Sequence, residues 1–174
     1  MRVREKEEQE NQYERVFHEF EPVYDENSRI LILGSFPSVK SRENNFYYGH
    51  PQNRFWKVLA HLCECPLPQS VEEKKEMLLK NRIAVWDVIS ACEIIGSSDS
   101  SIRNVIPADI LSVVSGSCIS KIYANGKTAK KLYDKYCRKT TGKEICGLPS
   151  TSPANASYSL EKLVNCWKVI KEEV

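Results

Sequence analysis

The sequence predicts an α/β fold: a three-layer α/β/α sandwich around a central, mainly parallel four-stranded sheet. Three observations carry this. Short apolar runs recur at residues 29–33, 83–86 and 121–124, with a weaker one at 144–146. Segments with apolar residues at helical spacing lie between them. Strands that alternate with helices form a parallel sheet covered on both faces.

Each element has its own warrant. Residues 29–33 (RILIL) end at Gly34 and read as a buried strand. A long polar and aromatic loop, 34–52, follows. Asn53 is a candidate cap for a helix over 54–62, where Phe55, Val58, Leu59 and Leu62 share one face. Residues 69–81 show a second helical pattern. Residues 83–86 (IAVW) form the second strand, followed by Asp87 and a Ser/Gly-rich loop around 96–101. A helix is expected over 107–114 and a third strand over 121–124, ending in Asn125-Gly126. Residues 127–139 form the next helix and 144–146 the weak fourth strand. The loop 148–154 leads to a last amphipathic helix marked by Leu160, Leu163, Val164, Trp167 and Ile170. Residues 1–16 read as a charged N-terminal arm, and 17–174 as a single domain.

Composition narrows the function classes. The chain has 174 residues, 41% hydrophobic and 28% charged, which excludes wholesale disorder. No apolar run approaches the roughly 18 residues of a membrane span. The start, MRVREKEEQENQ, lacks the apolar centre of a secretory signal, so an intracellular protein is expected. The seven cysteines are odd in number and none forms C-x-x-C. They read as reduced thiols, and no metal site is expected.

Charge is distributed unevenly. Residues 1–28 carry four basic and nine acidic side chains, so the net charge of +2 conceals a basic remainder. Residues 121–143 hold eight basic side chains, Lys127, Lys130 and Lys131 among them, against one acid, Asp134. Such a surplus attracts a polyanion by counterion release, although a charge run can equally be a solvated helix face.

In open α/β sheets, sites form beyond the carboxyl ends of the strands. Four segments are expected there: 34–52, Asp87, Asn125 and 148–154. The turn Gly34-Ser35-Phe36-Pro37-Ser38 can aim backbone N–H groups outward. The run NFYYGHPQNRFW, residues 45–56, puts three consecutive aromatics before Gly-His-Pro, and aromatic faces stack on nucleobases. Phe55 and Trp56 read as core, whereas His50 is open between a structural bond and a catalytic role. Leu148-Pro-Ser-Thr-Ser-Pro-Ala154 makes a stiff loop of little bulk, suited to phosphates or to leading into a helix capped by Ser157 or Ser159.

Taken together, LILGSFPS, YYGHPQNRFW, ANGKTA and LPSTSPANAS resemble the uracil-DNA glycosylase superfamily, and within it the hypoxanthine-DNA (deoxyinosine) glycosylases. The mismatch-specific uracil glycosylases carry a similar HPxNRFW stretch. The resemblance runs from about Phe17 to the C-terminus. It implies hydrolysis of the bond between a deaminated base and its deoxyribose in double-stranded DNA, by a monomer, without metal or organic cofactor. By position, Ser35, Phe36 and Pro37 would contact the extruded base and water, with His50 beside them. Tyr48 would take the stacking position. Asn53 and Asn125 would be the catalytic asparagines. Ser150, Thr151 and Ser152, with Lys127, Lys130 and Lys131, would grip DNA. Many superfamily members place an acid or amide where this chain has Phe36, so the water-positioning role passes to Asn53. The rival readings are a uracil or thymine mismatch glycosylase, and a non-catalytic nucleic-acid-binding module.

Overall fold

The computed structural model describes residues 12–174. Strand β2 (Ile30–Gly34) lies between β3 (Ile83–Asp87) and β6 (Lys121–Asn125), and β7 (Ile145–Leu148) closes the edge beside β6. All three pairings are parallel. Strand side chains alternate in direction, so β2 feeds both faces. Ile30 and Ile32 enter one core with Phe55, Leu59, Leu78, Leu163 and Trp167. Leu31 and Leu33 enter the other with Ile110, Val113, Ala129 and Tyr133. The sandwich expected from the sequence is therefore present.

The helices supply these residues. On the first face lie α2 (Phe55–Leu62), α3 (Val71–Lys80) and α7 (Leu160–Trp167). On the second lie α4 (Ile110–Ser115) and α5 (Lys127–Tyr136), followed by the short α6 (Arg138–Thr141). Ser70 caps α3 through Glu73 N–H, and Ser159 caps α7 through Lys162 N–H. Each bond satisfies one of the donors a helix start leaves open. A short helix, α1 (Val39–Asn44), lies within the loop after β2.

Three features differ from the sequence reading. A second sheet, β1 (Glu14–Phe17), β4 (Ile89–Ile94) and β5 (Arg103–Pro107), pairs antiparallel in the order β1-β4-β5. Its inner side packs Ile89, Cys92 and Ile94 against Phe36. The expected boundary between arm and domain, at 16/17, falls inside β1; residues 1–11 of that arm lie outside the described residues. The helix expected from Pro107 begins at Ile110, because Pro107 is the last residue of β5. The Asp109 side chain accepts from Ser112 N–H to start it.

The chain leaves β2 towards β3 on one side and returns to β6 on the other. Loops after β2 and β6 therefore diverge and open a crevice above the carboxyl ends of the sheet. No described helix is long and apolar enough to cross a membrane.

Candidate active site

That crevice holds a cavity of about 300 Å3, at the small end of the roughly 300–1,000 Å3 typical of ligand pockets. Ser35, Phe36 and Pro37 line it, as do Tyr48, His50, Asn53, Asn125, Ser150, Thr151 and Ser152. Four chain segments thus meet at one rim. A larger groove of about 560 Å3 lies beside α2, lined by Lys57, His61, Glu64, Pro66, Leu67 and Leu160. It includes none of these segments.

Thr151 ties two of the walls together. It is fully buried. Its hydroxyl donates to Asn53 Oδ1 at 2.8 Å and accepts from Asn125 Nδ2 at 3.0 Å. Its backbone N–H donates to Asn125 Oδ1 at 3.0 Å. Asn125 therefore has its carbonyl and one amide hydrogen engaged by Thr151. Asn53 Oδ1 also accepts from Phe55 N–H at 2.9 Å, so this residue anchors the start of α2 as its position suggested. With Oδ1 held twice, the Asn53 amide is locked, and its Nδ2 donors point away from these partners.

Arg54 secures the same loop. Its guanidinium donates to the carbonyls of Ser152 (2.9 Å), Asn155 (3.1 Å), Thr151 (3.4 Å) and Tyr158. Its backbone N–H donates to Thr151 O as well. A planar group with five donors in a fixed fork can hold several carbonyls at once. Ser150 Oγ accepts from Ser152 N–H and tightens the turn. Gly126, at φ +97°, lets Ser150 approach: a Cβ there would stand 3.2 Å from Ser150 Cβ.

The floor is built by Gly34, Tyr48 and Asp87. A Cβ on Gly34 would collide with Asp87 Oδ1 and stand 3.0 Å from Tyr48 Oη. Glycine is thus required by close approach. Tyr48 takes a left-handed φ of 51°, uncommon for an aromatic residue. Its ring stacks on Phe55, with centroids 3.9 Å apart. Its hydroxyl is buried without a well-formed hydrogen bond, with the Asn125 side chain beside it. Burial, then the Asp87 charge, pushes its pKa well above the usual tyrosine range, so the hydroxyl keeps its proton.

Asp87 is itself buried and lines the cavity. Its Oδ2 lies 2.8 Å from His18 Nε2, and both side chains are nearly excluded from solvent. His18 sits among the rings of Phe20, Phe36 and Tyr47. The far wall comes from the β4–β5 connection, where Asp99 Oδ1 accepts from the Ser35 hydroxyl at 3.0 Å and Ser97 Oγ accepts from Val39 N–H.

The sequence reading placed Asp87 at the rim without a role, and missed His18, Asp99 and Ser97. The signal for Asp87 was available: an acid on the last residue of a buried strand. His18 lies 69 residues away in sequence, with no motif linking the pair.

Thr151, grouped with the DNA-gripping residues, has its hydroxyl turned inward and used. His50 Nδ1 accepts from Gln52 N–H, a local turn contact that leaves Nε2 as the donor of the neutral ring. Lys127, Lys130 and Lys131 are exposed on α5 and do not line the cavity. Lys130 is already paired with Asp134 at 3.0 Å. Among the described residues, no group of His, Cys, Asp and Glu is arranged to hold a metal ion.

Comparison with known proteins agrees with this geometry. The profile of the uracil DNA glycosylase superfamily matches residues 21–171. The chain belongs to the uracil DNA glycosylase superfamily. It is 40% identical over 144 residues to a protein of Methanosarcina acetivorans named hypoxanthine DNA glycosylase, covering 80% of this chain and 89% of that one. A Methanosarcina barkeri protein of the same name is 42% identical over 87 residues, covering 49% of this chain and 54% of its own. The solution NMR structure of a proposed uracil DNA glycosylase from Methanosarcina acetivorans superposes with a TM-score of 0.75 at 34% identity, covering 88% of this chain and 95% of that chain. Every residue lining the cavity lies within the matched residues, and His18, the partner of Asp87, lies just before them.

Proposed function

We propose that this member of the superfamily is a monofunctional DNA glycosylase that releases hypoxanthine from deoxyinosine in duplex DNA. The observation that carries the reading is the convergence of four distant segments on one base-sized cavity, in a chain 40% identical to a hypoxanthine DNA glycosylase. One chain supplies the whole cavity, so a monomer suffices. The substrate requires that the protein work where genomic DNA is, inside the cell.

A base inside a duplex cannot reach such a cavity, so the nucleotide is everted at a cost of a few kcal/mol, least for a mispaired base. Ser35, Phe36 and Pro37 then border the base, with His50 at its side. Glycosidic cleavage passes through an oxocarbenium-like sugar. Water adds to C1′ as the C1′–N9 bond breaks, and the departing base takes up the electron pair and then a proton. The locked Asn53 amide orients that water, because its Oδ1 is held and its Nδ2 is not. Asn125 is a positioning residue that acts through Thr151. Preorganised amides of this kind contribute without reorganising during the reaction. An amide is no base at neutral pH, so turnover is slow. Ser150 and Ser152 meet the flanking phosphates, and Lys127 and Lys131 contribute long-range attraction beyond the rim.

The test is single-turnover release of the base from oligonucleotide duplexes carrying inosine, uracil, xanthine or ethenoadenine. Abasic sites should form fastest from inosine. Faster release of uracil would transfer the chain to the mismatch-uracil reading. DNA binding without any abasic product would leave a non-catalytic binder.

A further inference from the structure

The cavity floor presents two polar groups that the reaction above leaves unused. One is the Asp87 carboxylate, whose Oδ2 is engaged by His18 and whose Oδ1 lies against Gly34. The other is the Tyr48 hydroxyl, buried beside the Asn125 side chain without a well-formed hydrogen bond. Both residues line the cavity, and both stand close against Gly34. Burying a hydroxyl that donates to nothing is unfavourable, and a ligand that supplies an acceptor offsets that cost.

Deamination changes a base in one consistent way. Adenine presents an amino donor beside a ring nitrogen with a lone pair. Hypoxanthine presents a carbonyl, O6, beside a protonated nitrogen, N1–H. Uracil differs from cytosine in the same sense. A hydroxyl donor next to an obligate acceptor complements the deaminated edge. Against adenine or cytosine, the carboxylate instead faces a lone pair. Carboxylate oxygens accept only, so Asp87 cannot adapt.

We propose that Asp87, held by His18, and Tyr48 together form the reader that admits deaminated bases and rejects adenine and cytosine. Asp87 accepts N1–H and Tyr48 donates to O6. His18 is a positioning residue: its imidazole fixes the carboxylate, and the aromatic nest of Phe20, Phe36 and Tyr47 fixes the imidazole. Guanine shares the O6/N1–H edge, so the reader does not exclude it; its stronger pairing with cytosine keeps it in the stack. The inference rests on the hypoxanthine reading and extends it to the atoms that recognise the base.

The experiment compares single-turnover release from duplexes carrying deoxyinosine with release from duplexes carrying deoxynebularine, the purine without O6 and with a lone pair at N1. It uses the full chain and the variants Asp87→Asn, Tyr48→Phe, His18→Phe and His18→Gln. Tyr48→Phe keeps the ring stacked on Phe55 and removes no well-formed hydrogen bond, and its melting temperature, measured alongside, guards against misreading a folding defect. The preference for inosine over nebularine should collapse about 10- to 100-fold in Asp87→Asn and about 10-fold in Tyr48→Phe. The nebularine rate should move less than about threefold in Tyr48→Phe and should rise in Asp87→Asn, whose amide can donate to the N1 lone pair. His18→Phe should lower the preference and His18→Gln, which keeps a donor, should restore part of it. Equal losses on both substrates, or no change of preference in Tyr48→Phe, would overturn the proposal. If the parent releases no hypoxanthine at all, the hypoxanthine reading itself fails and the reader falls with it, a result visible before any variant is measured.

Discussion

Replacing Thr151 by valine tests how the site is held. The exchange keeps the shape of the side chain and deletes one hydroxyl. Asn125 Nδ2 then loses its acceptor, and Asn53 Oδ1 keeps only the N–H of Phe55. An unsatisfied buried donor costs about 1–3 kcal/mol. For a chain of this size each kcal/mol lowers Tm by about 2–4 °C, giving a fall of about 2–12 °C. The rate should suffer separately, because the Asn53 amide has lost one of two anchors. Misplacing a reacting group by about 1 Å costs on the order of 100-fold, so single-turnover release should fall about 10- to 100-fold. Thr151→Ser keeps the hydroxyl and loses a methyl, worth about 1 kcal/mol of stability, and should keep the rate within about threefold. Thermal melting and release from an inosine duplex, measured on the same preparations, separate the two effects. A folded Thr151→Val with the parental rate would refute the coupling, as would Thr151→Ser failing as badly.

Other perturbations reach different parts of the wall. Arg54→Lys replaces a fork holding four carbonyls with a point charge. It should cost about 2 kcal/mol and lower Tm by about 4–8 °C, with earlier protease cutting within 150–158. Gly34→Ala drives a methyl into Asp87 Oδ1 and should reduce release from inosine far more than it reduces DNA affinity, read by paired binding and single-turnover assays. Lys131→Ala should reduce the slope of log K against log salt by about 0.9. Lys130→Ala should reduce it less, because Lys130 is already paired with Asp134; equal slopes for both would show that this pair does not persist on DNA.

Much of the fold is legible because apolar runs bounded by Gly and Asn mark buried parallel strands. Residues 29–33, 83–86 and 121–124 correspond to β2, β3 and β6 within a residue. The second sheet is not legible for local reasons. β1 is ERVF with two charges in four residues, β5 contains Asn and Pro, and β4 pairs with it through two register irregularities. None shows the alternation that identifies a strand. The cavity walls made by loops after β2, β6 and β7 follow from topology. The His18–Asp87 pair does not, since β1 must first dock on β4 to bring His18 to the sheet. The resemblance gives the water-positioning role to Asn53 and makes Asn125 a second catalytic asparagine, with no physical ground for the difference. The Thr151 bridge separates them, because it engages both ends of the Asn125 amide and only one end of Asn53.

In the proposed reaction the Asn53 amide, locked at the wall of the cavity, directs water to an everted deaminated nucleotide. Single-turnover release of hypoxanthine by Asn53→Ala, with affinity for the same inosine duplex measured alongside, tests it most directly. A loss of at least about 100-fold in rate is expected, the order for removing a preorganised polar group, with binding retained within about threefold. An Asn53→Ala protein that binds and cleaves like the parent would contradict it.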